Sequence, residues 1–188
     1  DFIETISVHT DKGRINQIIC INKKSLVYLV NQGTIEFHIW LSQKKNLQQP
    51  NKIVFDLDPP DGAFQKVKKA ARIIRKELNN DGIESSLLLT GKTGVHINYN
   101  IRAGEDFDTL RHSIKKTIEQ WVEKYPKLFT AEIRKDQRNG KVFLDYLRNA
   151  YGQTVIAPFS MRATSSACIA TPISWEELSF IKKADRYN

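Results

Sequence analysis

Ile53-Val54-Phe55-Asp56-Leu57-Asp58-Pro59-Pro60 is the stretch on which the fold turns. It reads as an apolar strand carrying two acids one residue apart, and side chains two apart on a strand share a face. Asp56 and Asp58 therefore project together, with Phe55 and Leu57 on the other side. Neighbouring carboxylates repel, and a fold tolerates such a pair mainly where a cation sits between them. The prolines end the strand, because proline cannot donate to a sheet ladder. The acids are left at a strand end, where open α/β sheets place their ligands. The same spacing suits a plain turn, Asp58-Pro59-Pro60-Asp61-Gly62, with solvated acids, and alone it does not choose between the two.

Upstream, Phe2 to His9 alternates as a strand, Asp11-Lys12-Gly13 signals a turn, and Arg14 to Cys20 returns, which predicts a hairpin. A short helix is expected over 25–32, ending at Gly33, then a strand over 35–40 and a polar loop over 42–51. Downstream, Val67, Ala70, Ala71, Ile74 and Leu78 follow helical spacing over 64–80, with Lys66, Lys68, Lys69, Arg72, Arg75 and Lys76 on the surface. Strands over 85–89 and 95–101, a helix over 107–125, and strands over 142–147 and 154–157 follow. A closing helix is expected over 174–184, opened by a Ser174–Glu177 capping box. Strands and helices in this order predict an α/β or α+β sandwich around one sheet.

The 188 residues, 40% hydrophobic and 27% charged, fit one globular domain and exclude a disordered chain. Lysine and arginine total 29 against 21 acids, a net charge of +8 that favours a polyanionic partner, nucleic acid first. Cys20 and Cys168 lie far apart without metal-ligand spacing, which suits a reducing compartment. There is no apolar run of membrane-spanning length and no signal-peptide pattern.

Asp145 repeats the Asp56 situation, an acid in the apolar run Val142-Phe143-Leu144-Asp145-Tyr146-Leu147. Three carboxylates on separate strand ends can hold two hard divalent ions, as in phosphoryl or nucleotidyl transfer. Thr90-Gly91-Lys92-Thr93-Gly94-Val95-His96 is a glycine-punctuated turn whose backbone can approach phosphate, with Lys92 and His96 adding charge. It is not a Walker A loop, since Ser86 stands where that pattern needs its first glycine and no helix is expected to follow. A plain hairpin with a basic tip fits the segment equally well. Arg148 and Arg162 complete the set; near carboxylates, arginine serves as a phosphate clamp or as a structural ion pair.

Taken in order, these residues resemble the primase-polymerase domain of bacterial DNA ligase D, of the archaeo-eukaryotic primase superfamily, which acts in non-homologous end joining. The resemblance rests on Glu36-Phe37-His38-Ile39-Trp40, Val54-Phe55-Asp56-Leu57-Asp58-Pro59, Thr90 to His96, Phe143-Leu144-Asp145-Tyr146-Leu147-Arg148-Asn149, Ser160-Met161-Arg162-Ala163 and 171–178. It spans almost the whole chain. It implies a central mixed or antiparallel sheet flanked by helices, with an RRM-like catalytic core. Asp56, Asp58 and Asp145 would bind two Mn²⁺ or Mg²⁺ ions. His38, Thr90, Gly91, Lys92, His96, Arg148 and Arg162 would hold the incoming NTP or dNTP. The reaction would be attack of a primer 3′-hydroxyl on the α-phosphorus, with ribonucleotides preferred. The implied partners are primer-template, gapped or broken DNA, a ligase domain or chain, and a Ku-type end-joining protein, with no membrane. The implied location is the bacterial or archaeal cytoplasm, at the nucleoid. The hairpin over 8–15 falls where the family carries a loop that helps bring two DNA ends together.

Two departures stand out. Thr90 replaces the family's usual serine, keeping the hydroxyl. The family domain also extends further at its N-terminus, and this chain opens without Met, so the expectation is a primase-polymerase catalytic domain over 1–188 that lacks an N-terminal portion. Two other classes remain: a non-catalytic DNA-end-binding or synapsis module with vestigial acids, and a metal nuclease, which would not need the Thr90–His96, Arg148 and Arg162 set.

Overall fold

The computed structural model describes residues 3–10, 13–60 and 62–188. β1 (Glu4–Thr10) and β2 (Gly13–Ile19) form the expected hairpin, with Val8 opposite Ile15. Phe2, the Asp11-Lys12 turn residues and Asp61 of the proline turn lie outside the described residues. The chain continues through α1 (Lys23–Asn31), β3 (His38–Trp40), β4 (Ser42–Gln43), β5 (Asn46–Pro50), β6 (Lys52–Asp58), α2 (Phe64–Asn80), β7 (Ser86–Leu89) and β8 (Val95–Asn100). It then forms α3 (Phe107–Lys124), β9 (Phe129–Thr130), β10 (Val142–Asp145), β11 (Thr154–Ile156) and β12 (Thr171–Ile173).

Six strands build the central sheet in the order β12-β7-β8-β6-β10-β9, antiparallel except for the β9–β10 pair. Period-two alternation sorts their side chains. Ile53, Phe55 and Leu57 of β6 join Leu87, Leu89, Val95, Ile97, Val142 and Leu144 on one face, buried against α2 and α3. Val67, Ala70, Ala71 and Ile74 supply the α2 stripe and Ile114, Ile118 and Trp121 that of α3. Phe55 packs with its ring centroid 5.0 Å from that of Trp121. Helices on one face leave the other free for polar work. There β11, paired to β3, lays Val155 over Val54 and Ile156 over Leu88, covering one end of that face.

Several expectations change. The polar loop over 42–51 contains the small β4–β5 hairpin, and the strand expected over 35–40 is regular only from His38. Lys68, expected on the surface, is buried: its ammonium donates to the Ser179 and Ile181 carbonyls at 2.9 and 2.8 Å. This contact also accounts for the closing segment. The Ser174–Glu177 capping box forms, with Ser174 N–H donating to Glu177 Oε2 at 2.7 Å and Glu177 N–H to Ser174 Oγ at 3.1 Å. Yet only a 3-10 turn at Glu177–Ser179 follows. The carbonyls that would carry a helix forward are taken by Lys68, and Leu178, Ile181 and Ala184 are buried in the main core.

Candidate functional site

The register of the sheet assembles the site. Asp145 of β10 lies opposite Asp56 of β6, and His96 of β8 lies opposite Asp56 on its other side. Directly opposed residues share a face, so His96, Asp56 and Asp145 form one row. Asp58, two residues along, stands on the same face. This is the face that α2 and α3 do not cover.

β10 ends at Asp145 because the chain turns there into a 3-10 segment, Leu147–Asn149, its first N–H donating to Asp145 Oδ1 at 2.8 Å. Val54, two residues before Asp56, would then face an empty ladder position. The fully buried carboxamide of Asn149 fills it: Oδ1 accepts from Val54 N–H at 2.9 Å and Nδ2 donates to Val54 O at 2.7 Å. An amide side chain thus replaces the next strand residue, and the turn it permits presents Arg148. Arg148 Nε lies 3.3 Å from Asp56 Oδ2 and 3.5 Å from Asp145 Oδ2, between the two acids.

The electrostatics follow from this row. Burial pushes Asp56 up, but His96, 3.5 Å away, and Arg148 outweigh it and hold the carboxyl below its usual range. Asp58 is pushed up, first by burial and then by the charge of Asp56. Asp145 is pushed up by burial, with Asp56 adding to it and the Leu147 N–H opposing. Among the described residues, no group of three or more His, Cys, Asp or Glu side chains is arranged to hold a metal ion as placed. Arg148 bridges Asp56 and Asp145, while Asp58 faces Arg138 Nη1 at 3.9 Å. The donor set nevertheless suits a hard divalent ion. It is all carboxylate oxygen, and two of its acids carry a repulsion that such an ion would relieve.

Beside the row opens a cavity of about 210 Å³ lined by His38, Asp56, Asp58, Thr90, Lys92, His96, Arg148 and Arg162. Of the residues expected from sequence, only Asp145 and Gly91 do not line it. The Thr90 hydroxyl closes its own turn, donating to Gly94 O at 3.0 Å and accepting from Gly94 N–H at 3.3 Å. Gly94 is required there, since a Cβ would lie 2.4 Å from Leu57 O. Gly91, at φ +71°, brings its backbone so close to the 160s loop that a Cβ would lie 2.8 Å from Arg162 Cγ. The Arg162 side chain is 9% exposed, and its Nε makes no hydrogen bond to the described residues; it lies 3.4 Å from Glu36 Oε1, at ion-pair distance.

Glu36 is a part of the site that sequence reasoning gave no role. Its Oε2 lies 3.1 Å from His38 Nε2. Its Oε1 accepts from Ala163 N–H at 2.8 Å and lies 3.3 Å from Lys92 Nζ. Arg138 was also missed, hidden in the basic turn over 134–141. Its guanidinium sits 3.9 Å over the Phe143 ring and donates to the Glu132 and Ile133 carbonyls at 3.0 and 2.9 Å. The register of β10 against β6 is what brings it to Asp58, and no local motif carries that information.

The family model described as the LigD primase-polymerase domain matches residues 1–188. The bifunctional non-homologous end joining protein LigD of Bacillus subtilis is 33% identical over 169 residues, covering 88% of this chain and 27% of that protein. The multifunctional LigD of Pseudomonas aeruginosa is 30% identical over 166 residues, covering 88% of this chain and 20% of that protein. The chain thus spans between a fifth and about a quarter of the length of these relatives. Its fold matches a structure of the polymerase domain from Mycobacterium tuberculosis ligase D in complex with DNA, with a TM-score of 0.85. That match has 24% identity and covers 95% of this chain and 65% of the other. Among the described residues, no helix is long and apolar enough to cross a membrane.

Proposed function

Because the chain belongs to the LigD primase-polymerase domain family, we propose that it is a nucleotidyltransferase that extends primer 3′-hydroxyl ends with ribo- or deoxyribonucleotides during DNA end joining. The observation that carries this is the single cavity in which Lys92, Arg148 and Arg162 face a pair of acids. A nuclease needs the acids but has little use for a buried arginine in a wall of the same cavity.

In this reading Arg162 clamps the triphosphate, helped by Lys92, His38 and the Gly91 backbone. Thr90 shapes the phosphate turn through its bond to Gly94. His96 orients the Asp56 carboxylate from across the strand. Asp56, Asp58 and Asp145 are the groups that would hold Mg²⁺ or Mn²⁺. Bound there, the metal would favour ionisation of the attacking hydroxyl and offset charge on the departing pyrophosphate. Arg148, which bridges Asp56 and Asp145, lines the same cavity and would be the second arginine for the phosphates. The +8 charge suits a DNA partner. Residues 1–188 belong to one catalytic domain, working in the cytoplasm beside a ligase domain or chain and a Ku-type protein.

The test is incubation with labelled primer-template, each NTP or dNTP, and Mn²⁺ or Mg²⁺. Extension is expected, and Asp58→Ala, with its fold intact, should slow it by about 100-fold or more. A shortened primer would point to a nuclease. A shifted but unextended primer would identify a non-catalytic DNA-end-binding module. Extension by the alanine variant near the parent rate would remove the carboxylates from the chemistry.

A further inference from the structure

Glu36 gathers donors from three separate segments: His38 of β3, Lys92 of the glycine turn, and Arg162 with Ala163 N–H of the 160s loop. The backbone beside it is fixed on both sides. Phe37 N–H donates to Ser160 Oγ at 2.7 Å, and Phe37 O accepts from Ala157 N–H at 2.9 Å. The carboxylate is therefore presented from a rigid mount, and its side chain is only 19% exposed. Burial opposes its ionisation, but His38, Ala163 N–H, Arg162 and Lys92 outweigh this and hold it at about 2, so it is anionic at any working pH.

Three of its partners line the cavity. Arg162 turns its Nε to Glu36 while its side chain lines the cavity, so the far end of the fork is the part that can meet a ligand. We propose that Glu36 is the positioning residue of this pocket, a fixed carboxylate that aims Arg162, Lys92 and His38 at a bound polyphosphate. It touches no reacting atom and acts through the three cationic or polar side chains it orders. This rests on the reading that the cavity takes a nucleoside triphosphate.

The experiment compares the parent chain with Glu36→Gln and Glu36→Ala. Binding of inorganic tripolyphosphate is measured by calorimetry without primer, and primer-extension kinetics and thermal unfolding are followed in parallel. Glu36→Gln keeps an acceptor for Ala163 N–H but loses the charge. It should raise the nucleotide KM and the tripolyphosphate Kd about tenfold, as expected when charge-assisted contacts lose their aim, with kcat within about twofold. Glu36→Ala also frees the loop and should be weaker still. Should the alanine form fail to fold, the glutamine form carries the test. Unchanged or tighter binding by a folded Glu36→Gln overturns the positioning role while leaving the triphosphate reading intact. Failure of the parent chain to bind tripolyphosphate overturns both.

Discussion

Replacing Asn149 by alanine tests how the site is mounted. Val54 and Asn149 are each 1% exposed, and the carboxamide satisfies both the N–H and the C=O of Val54. Alanine would orphan two buried backbone groups at once. Each orphan costs about 1–3 kcal/mol, and together the loss is roughly 2–6 kcal/mol. For a chain of this length, at about 2–4 °C per kcal/mol, that lowers the unfolding midpoint by roughly 4–24 °C. Asn149→Asp offers a sharper contrast. A carboxylate still accepts from Val54 N–H, but its second oxygen opposes Val54 O and brings in a buried charge. The aspartate form should therefore be at least as destabilised as the alanine form at neutral pH, despite its near-identical shape. Urea and thermal unfolding measure both. An alanine variant within about 0.5 kcal/mol of the parent would refute the idea that this side chain stands in for a strand residue.

Gly94→Ala would press a Cβ to 2.4 Å from Leu57 O, a backbone atom with no rotamer to yield. Overpacking of this kind costs about 1–3 kcal/mol, and displacement of Leu57 should also shift Asp58, so chemical denaturation and primer extension should both report a loss. Glu77 is held below the usual carboxylate range, chiefly by hydrogen bonds from Lys124 at 2.7 Å and Tyr125 at 2.5 Å. A depressed folded-state pKa gives stability that is present above the unfolded pKa and lost as pH falls through the folded one. Glu77→Gln should therefore be less stable than the parent at neutral pH, and the gap should narrow on acidification; a pH-independent gap in melting temperature would contradict this.

Long amphipathic elements were legible: α2 occupies the predicted 64–80, and α3 ends one residue short of prediction. The aspartate row was legible too, because strand parity and the position of Asp145 are local facts. What sequence could not show lay in contacts between distant segments. The capping box over 174–177 is real, yet a lysine more than a hundred residues away decides that no helix follows it. β9 and β12, at two and three residues, are too short for periodicity to register. Glu36 stood in a quoted motif without a role, since its partners are spread from residue 38 to residue 163.

The bond from Lys68 to Ser179 and Ile181 bears on how the chain can be trimmed. Leu178, Ile181 and Ala184 are at most 3% exposed, so the final stretch is a lid rather than an appendage. Cutting back to residue 174 strips oily flank from α2 and strands an ammonium in it, a recipe for clumping during purification.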